Sequence, residues 1–110
     1  MQAEKLAVSV CIIAYNEEAM IADCLESVSR FDDIVLVVDS KTTDKTTEIA
    51  KQFNCRIFIE PWKGDGPQKQ TAIDKSMHDW VLILDADERL TREGEAFMRK
   101  ALDAPNEAVA

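Results

Sequence analysis

Residues 80–89 read WVLILDADER, an apolar run that ends abruptly on two aspartates one residue apart. A short unbroken apolar run of this kind suits a strand buried on both faces, as in a parallel sheet covered by helices. The same design recurs upstream. Residues 7–14 (AVSVCIIA) are apolar almost throughout and run into Tyr15-Asn16-Glu17-Glu18, and residues 34–38 (IVLVV) end at Asp39-Ser40. Residues 56–60 (RIFIE) alternate and lead into a Gly/Pro loop, Pro61-Trp62-Lys63-Gly64-Asp65-Gly66.

Helical periodicity fills the gaps between these runs. Asn16 is a good N-cap, Glu17 and Glu18 suit a first turn, and Met20, Ile21, Cys24, Leu25 and Val28 follow at helical spacing. Thr46, Ile49, Ala50 and Phe53 fall on one face of a second helix. Pro67 suits the first position of a third, which carries Ala72, Ile73 and Met77. Thr91 caps a fourth, with Phe97, Met98, Ala101 and Leu102 on one side. The strict alternation of strand and helix predicts an α/β fold: a Rossmann-like parallel sheet of four strands with helices on both faces. Of the doubly wound arrangements, the order 3-2-1-4 is the one expected. Ligands of such sheets sit beyond the carboxyl ends of the strands, where the order reverses. Tyr15-Asn16-Glu17, Asp39, Asp85 and Asp87 are all expected there.

The chain has 110 residues, with 13 Lys+Arg against 21 Asp+Glu and a formal net charge of −8. It reads as a single domain, with an ordered core over about residues 6–103 and a frayed tail over residues 103–110. The acidic balance argues against nucleic acid as a partner, since that affinity comes from cations neutralising phosphates. No apolar run approaches the roughly 20 residues of a spanning helix. Residues 1–5 do not open a secretory signal, so a cytoplasmic location is expected. Cys11, Cys24 and Cys55 are widely spaced among apolar neighbours and read as buried reduced thiols. With His78 the only histidine, a serine-type triad and a His-rich zinc site are excluded.

Asp85-Ala86-Asp87 is the sharpest chemical feature. Two carboxylates at this spacing past a strand can hold Mg²⁺ or Mn²⁺ and share it with substrate phosphates. Acids so placed also serve simply to solvate a loop and cap a helix. An EF-hand loop starting at Asp85 fails, because Leu90 and Ala96 stand where it needs Gly and Glu. An aspartyl-nucleophile phosphatase carries such a pair after its first strand, not its fourth. Neither GxGxxG nor GxxxxGK[ST] occurs, so the dinucleotide and P-loop classes lose their main support. Asp39 can accept from a base or ribose, or act as a turn aspartate. Lys69, beside the glycines, can meet a phosphate or be merely solvated.

Taken together, residues 8–14 with Tyr15-Asn16-Glu17-Glu18, Val37-Val38-Asp39-Ser40 with Thr43-Asp44-Lys45-Thr46, and Asp85-Ala86-Asp87-Glu88-Arg89 resemble family 2 glycosyltransferases of the GT-A fold. Residues 62–70 (WKGDGPQKQ) are most similar to the branch that adds sugars to the lipopolysaccharide inner core. The resemblance covers roughly residues 6–103. It implies that the segment from Ala14 through Tyr15 to Glu17 lines a nucleotide pocket and that Asp39 bonds the base, typically uracil. It further implies that Lys69 lies near the diphosphate, Asp85 touches the ribose or metal region, and Asp87 ligates the divalent metal, Mg²⁺ or Mn²⁺. The implied donor is a nucleotide-diphospho-sugar, typically a UDP-sugar, and the implied acceptor a lipid-linked glycan at the membrane surface, with the protein peripheral to the inner membrane.

The sequence departs from the family at Lys41-Thr42 (commonly Gly-Ser), Asp65 (commonly aromatic) and Gln70 (commonly Asn). Family members are about twice this long or more, and their general base follows the DxD in the acceptor-binding half. The chain is therefore expected to bind donor without transferring sugar, its catalytic base unassigned. With its fourth strand uncovered, it is expected to form a homodimer or self-associate. The alternative reading is a non-catalytic acidic α/β module, such as a receiver-like signalling domain.

Overall fold

In the computed structural model, which describes residues 5–103, strand and helix alternate without exception. The elements are β1 (Leu6–Ala14), α1 (Ile21–Ser27), β2 (Phe31–Asp39), α2 (Thr46–Ala50), β3 (Arg56–Glu60), α3 (Asp65–Asp74), β4 (Val81–Asp85) and α4 (Arg92–Asp103). All four strands are parallel in the expected order, β3-β2-β1-β4. The chain steps outward from β1 to β3 and then returns to the other side of β1, so the order reverses between β1 and β4.

Period-two patterning explains the two cores. Val8, Val10 and Ile12 of β1, with Ile34, Leu36 and Val38 of β2, face α1, α2 and α4 and bury Ile21, Cys24, Leu25, Val28 and Ala50. Cys11 of β1 and Val35 and Val37 of β2 point the other way, against Ala72 and Ile73 of α3. Three helices thus cover one face and α3 alone the other. Since α3 lies over β1 and β2, Ile83 of the edge strand β4 stays exposed.

At the amino-terminal ends of the strands a polar knot replaces apolar packing. Ser9 donates its hydroxyl to Asp33 at 2.7 Å, and Arg56 binds the same carboxylate. The main-chain N–H of Met77 donates to Asp33 Oδ2 at 2.9 Å, and that of His78 to Ser9 Oγ at 3.0 Å. The two buried polar side chains, Ser9 and Asp33, are therefore satisfied by each other, by the part-exposed Arg56 and by the two main-chain N–H groups.

Three local expectations change. Asn16 does not cap α1, which starts only at Ile21; it adopts a left-handed φ of 48° and turns its side chain to the β2–α2 loop. Helix α3 starts before Pro67, at Asp65, because Gly64 takes a φ of 108° that only glycine adopts freely and makes the turn itself. Met77 leaves the helical face: α3 ends at Asp74, and Met77 is exposed on the following bend. The Thr91 cap is present, its hydroxyl accepting the Gly94 N–H at 2.9 Å. The three cysteines are free thiols, Cys11 and Cys24 buried and Cys55 half-buried. Asp103 closes α4, and the rest of the expected tail lies outside the described residues.

Candidate functional site

The carboxyl ends of β1 and β4 are in direct register, with Ile13 opposite Asp85. Above them opens a cleft of about 310 Å³ lined by Ile13, Ala14, Tyr15, Glu17, Trp62, Asp65, Asp85, Ala86 and Asp87. Sequence reading singled out Ala14, Tyr15, Glu17, Asp85 and Asp87, and the fold brings all five to this one wall. A larger cleft of about 950 Å³ between α1 and α4 holds none of the residues singled out. Its Arg30 and Arg99 pair with Glu95, and its Arg89 reaches Asp23.

The turn bearing the two aspartates is closed reciprocally. Glu88 donates its N–H to the Asp85 carbonyl at 2.9 Å, and its carboxylate accepts the Asp85 N–H at 2.8 Å. That employs Glu88 in the turn and leaves the carboxylates of Asp85 and Asp87 facing outward. Both residues are exposed, and Asp87 takes no hydrogen bond or ion pair from the described residues. Lys69 reaches toward Asp85 from α3: its Nζ lies 3.1 Å from Asp65 and 3.9 Å from Asp85. The bond to Asp65, then its charge and that of Asp85, raise the Lys69 pKa, so the ammonium stays charged. Glu17 is raised too, first by burial and then by the negative charges of Asp87, Asp44 and Asp85. The cleft is a crowded anionic site with Lys69 at its margin, which favours binding a further cation.

Among the described residues, no group of three or more His, Cys, Asp or Glu side chains is gathered in a metal-holding arrangement. Two outward carboxylates on one turn suit a hard cation that completes its shell with waters and substrate phosphates, as Mg²⁺ commonly does. They do not make a closed protein cage.

Asp39 stands one strand over and does not line the cleft. Its side chain is largely buried, and Oδ1 accepts the Lys41 N–H at 2.9 Å in an Asx-type turn. Sequence reading missed Trp62 and Gln68. Trp62 is half exposed on the cleft wall, carried across the sheet by the loop from β3. Gln68 is buried under that loop, accepting from Lys63 N–H at 3.3 Å and donating to the Glu60 carbonyl at 3.5 Å. The Gly/Pro composition announced a loop, but nothing local announces where it travels.

The family model described as Glycosyl transferase family 2 matches residues 9–110. A glycosyltransferase of Rickettsia typhi is 44% identical over 86 residues, covering 78% of this chain and 30% of the relative. The lipopolysaccharide core biosynthesis glycosyltransferase LpsC of Rhizobium meliloti is 37% identical over an alignment covering 96% of this chain and 40% of LpsC. The chain thus spans less than half the length of these curated relatives. Among solved structures, S. aureus TarS 1–349 superposes with a TM-score of 0.73 at 24% identity, covering 88% of this chain and 32% of that one. The same protein in complex with UDP gives 0.69 at 22% identity, covering 88% and 31%. At such identities the likeness to TarS is one of fold.

Proposed function

The chain belongs to glycosyltransferase family 2, and from that premise we propose that it is the donor-binding part of a sugar transferase, holding a nucleotide-diphospho-sugar over the ends of β1 and β4. The observation that carries this reading is the convergence of Tyr15, Glu17, Asp85 and Asp87 on one cleft at the point where the strand order reverses. Ala14, Tyr15 and Glu17 line the nucleotide pocket. Asp39 keeps Oδ2 for the base after giving Oδ1 to its own turn. Lys69 offers its ammonium to the diphosphate, and Asp87, helped by Asp85, holds a divalent cation there. When bound, that cation stabilises the negative charge of the departing diphosphate. UDP is the favoured nucleotide, because the TarS fold neighbour was crystallised with it. The LpsC relative favours a lipopolysaccharide-core acceptor, which would bring the protein to the inner membrane surface. No helix among the described residues is long and apolar enough to cross a membrane.

We place the acceptor-activating base outside these 110 residues, since the acids of the cleft are occupied on the donor side. Calorimetric titration with UDP, GDP and CDP, each with and without Mn²⁺, tests the reading. Metal-enhanced binding of UDP supports it, and absence of binding by all three nucleotides rejects it. In an assay with labelled UDP-sugar and core acceptor, the 110-residue chain is expected to show slow donor hydrolysis at most. Robust transfer would show that the base lies within it. The relatives found lend no support to the receiver-like alternative.

A further inference from the structure

Tyr15 and Glu17 reach the cleft from a loop whose own conformation is unusual. Between them Asn16 holds a left-handed φ of 48°, a region asparagine enters more readily than other side-chain-bearing residues and that its hydrogen bonds hold here. Those bonds reach the β2–α2 loop, and the two loops bind each other in both directions. Asn16 Oδ1 accepts the main-chain N–H groups of Thr43 and Asp44 at 2.8 and 3.3 Å, and Glu18 Oε1 accepts that of Lys45 at 2.9 Å. In return, Thr46 Oγ1 accepts the Glu17 N–H at 2.8 Å, and Asp44 Oδ2 accepts the Glu18 N–H at 3.0 Å. Asp44 Oδ1 meanwhile takes both the N–H and the hydroxyl of Thr46, aiming that hydroxyl's lone pairs at Glu17.

We infer that Asp44 is a positioning residue for the donor site: through Thr46 and the Glu18 N–H it locks the loop bearing Tyr15 and Glu17 onto the loop that follows Asp39. The inference rests on the donor-site reading and extends it to residues that do not line the cleft. Asp39 and the Tyr15–Glu17 loop stand on neighbouring strands, so a ligand touching both needs their spacing set in advance. A preset spacing spares the ligand the entropy of ordering the loops. Asp44 is the hub because it alone bonds both loops with both carboxylate oxygens. Those bonds from Thr46 and Glu18 hold its carboxyl below the usual range against the opposing effect of desolvation.

The test compares the wild-type chain with Asp44→Ala by amide hydrogen exchange without ligand and by titration with UDP and Mn²⁺. Expected are Glu17 and Glu18 amides exchanging about tenfold faster or more, and UDP binding weakened about tenfold, the scale of an unordered loop, with the variant still folded at the temperature of the titration. Thr46→Val should repeat both losses, and Thr46→Ser, which keeps the hydroxyl, should not. Should Asp44→Ala fail to fold, Asn16→Gly serves instead: glycine accepts the φ of 48° but lacks the acceptor. Wild-type binding with Asp44→Ala affinity within about twofold overturns the positioning role and leaves the donor reading standing, since a twofold change is only about 0.4 kcal/mol where a tenfold one is about 1.4. No binding of UDP, GDP or CDP by the wild type, whatever the amides do, overturns the donor reading and the positioning role with it.

Discussion

Arg56 meets Asp33 side on, Nε to Oδ1 and Nη2 to Oδ2, each at 3.0 Å. The carboxylate is buried, whereas the guanidinium is part exposed and also donates to the Lys75 carbonyl at 2.6 Å. The pair thus ties β2 to β3 and to the end of α3, and Ser9 adds β1.

Removing the shared acceptor should therefore cost more than one hydrogen bond. Asp33→Ala takes the shared acceptor from the Ser9 hydroxyl and the guanidinium and leaves the Met77 N–H only its longer bond to Ser9 Oγ at 3.1 Å, and is expected to destabilise the fold by about 3 kcal/mol. Urea unfolding measures it, and a loss under about 1 kcal/mol, the scale of one ordinary hydrogen bond, would show the knot to be dispensable.

The same carboxylate predicts an acid limb of stability. Desolvation pushes its pKa up, but the bonds from Ser9, Met77 and Arg56 prevail and hold it below the ordinary 3.8. A carboxylate depressed in the folded state stabilises fully above its unfolded pKa and loses that contribution as pH falls through the folded one. The stability gap between wild type and Asp33→Asn should accordingly be constant near neutrality and shrink as pH drops below about 3.8. Denaturation series at several pH values read this, and a gap that widens in acid contradicts the assignment.

At the opposite end of the sheet, Asp87→Ala should weaken UDP binding chiefly in the presence of Mn²⁺, because the side chain has no protein partner among the described residues to lose. Equal weakening with and without the metal rejects a cation-holding role.

Asp39 should govern which base is bound. Asp39→Ala leaves a base N–H unpaired, at about 1–3 kcal/mol, and should narrow the preference for UDP over CDP. Because Asp39 Oδ1 also closes its own turn, Asp39→Asn is the cleaner variant. Parallel titrations decide it: an unchanged preference in both variants removes Asp39 from base recognition.

The β4 edge supplies the association prediction. Ile83 is exposed on the face α3 leaves open, and Trp80 and Met77 are exposed at its amino-terminal end. Unpaired strand edges with apolar neighbours recruit other chains. The chain is expected to self-associate with rising concentration and Ile83→Lys to weaken this. Sedimentation of a monomer at high micromolar concentration would contradict it.

Much of this was legible from sequence because burial writes itself into composition. Residues 7–14 and 34–38 are apolar at nearly every position because helices cover both faces of β1 and β2. Alternation then implied a parallel sheet, and the carboxyl ends of its strands are where the acids gather. What escaped was contact at long separation. A window around Asn16 shows a helix cap, yet its partners Thr43 and Asp44 lie 27 and 28 residues away. Pro67 looked like a helix start because φ at Gly64 is invisible in a residue list. Trp62 read as loop because a loop's destination depends on Gln68 holding it from beneath.

The polar knot of Ser9, Asp33 and Arg56 lies at one pole of the sheet and the acidic cleft at the other. Durability and selectivity are thereby written in separate sets of residues. Drift in the loops around Tyr15, Trp62 and Asp85 can reshape the cleft while the anchoring pole stays untouched, so a lineage built on this sheet is free to alter that cleft without risking its fold.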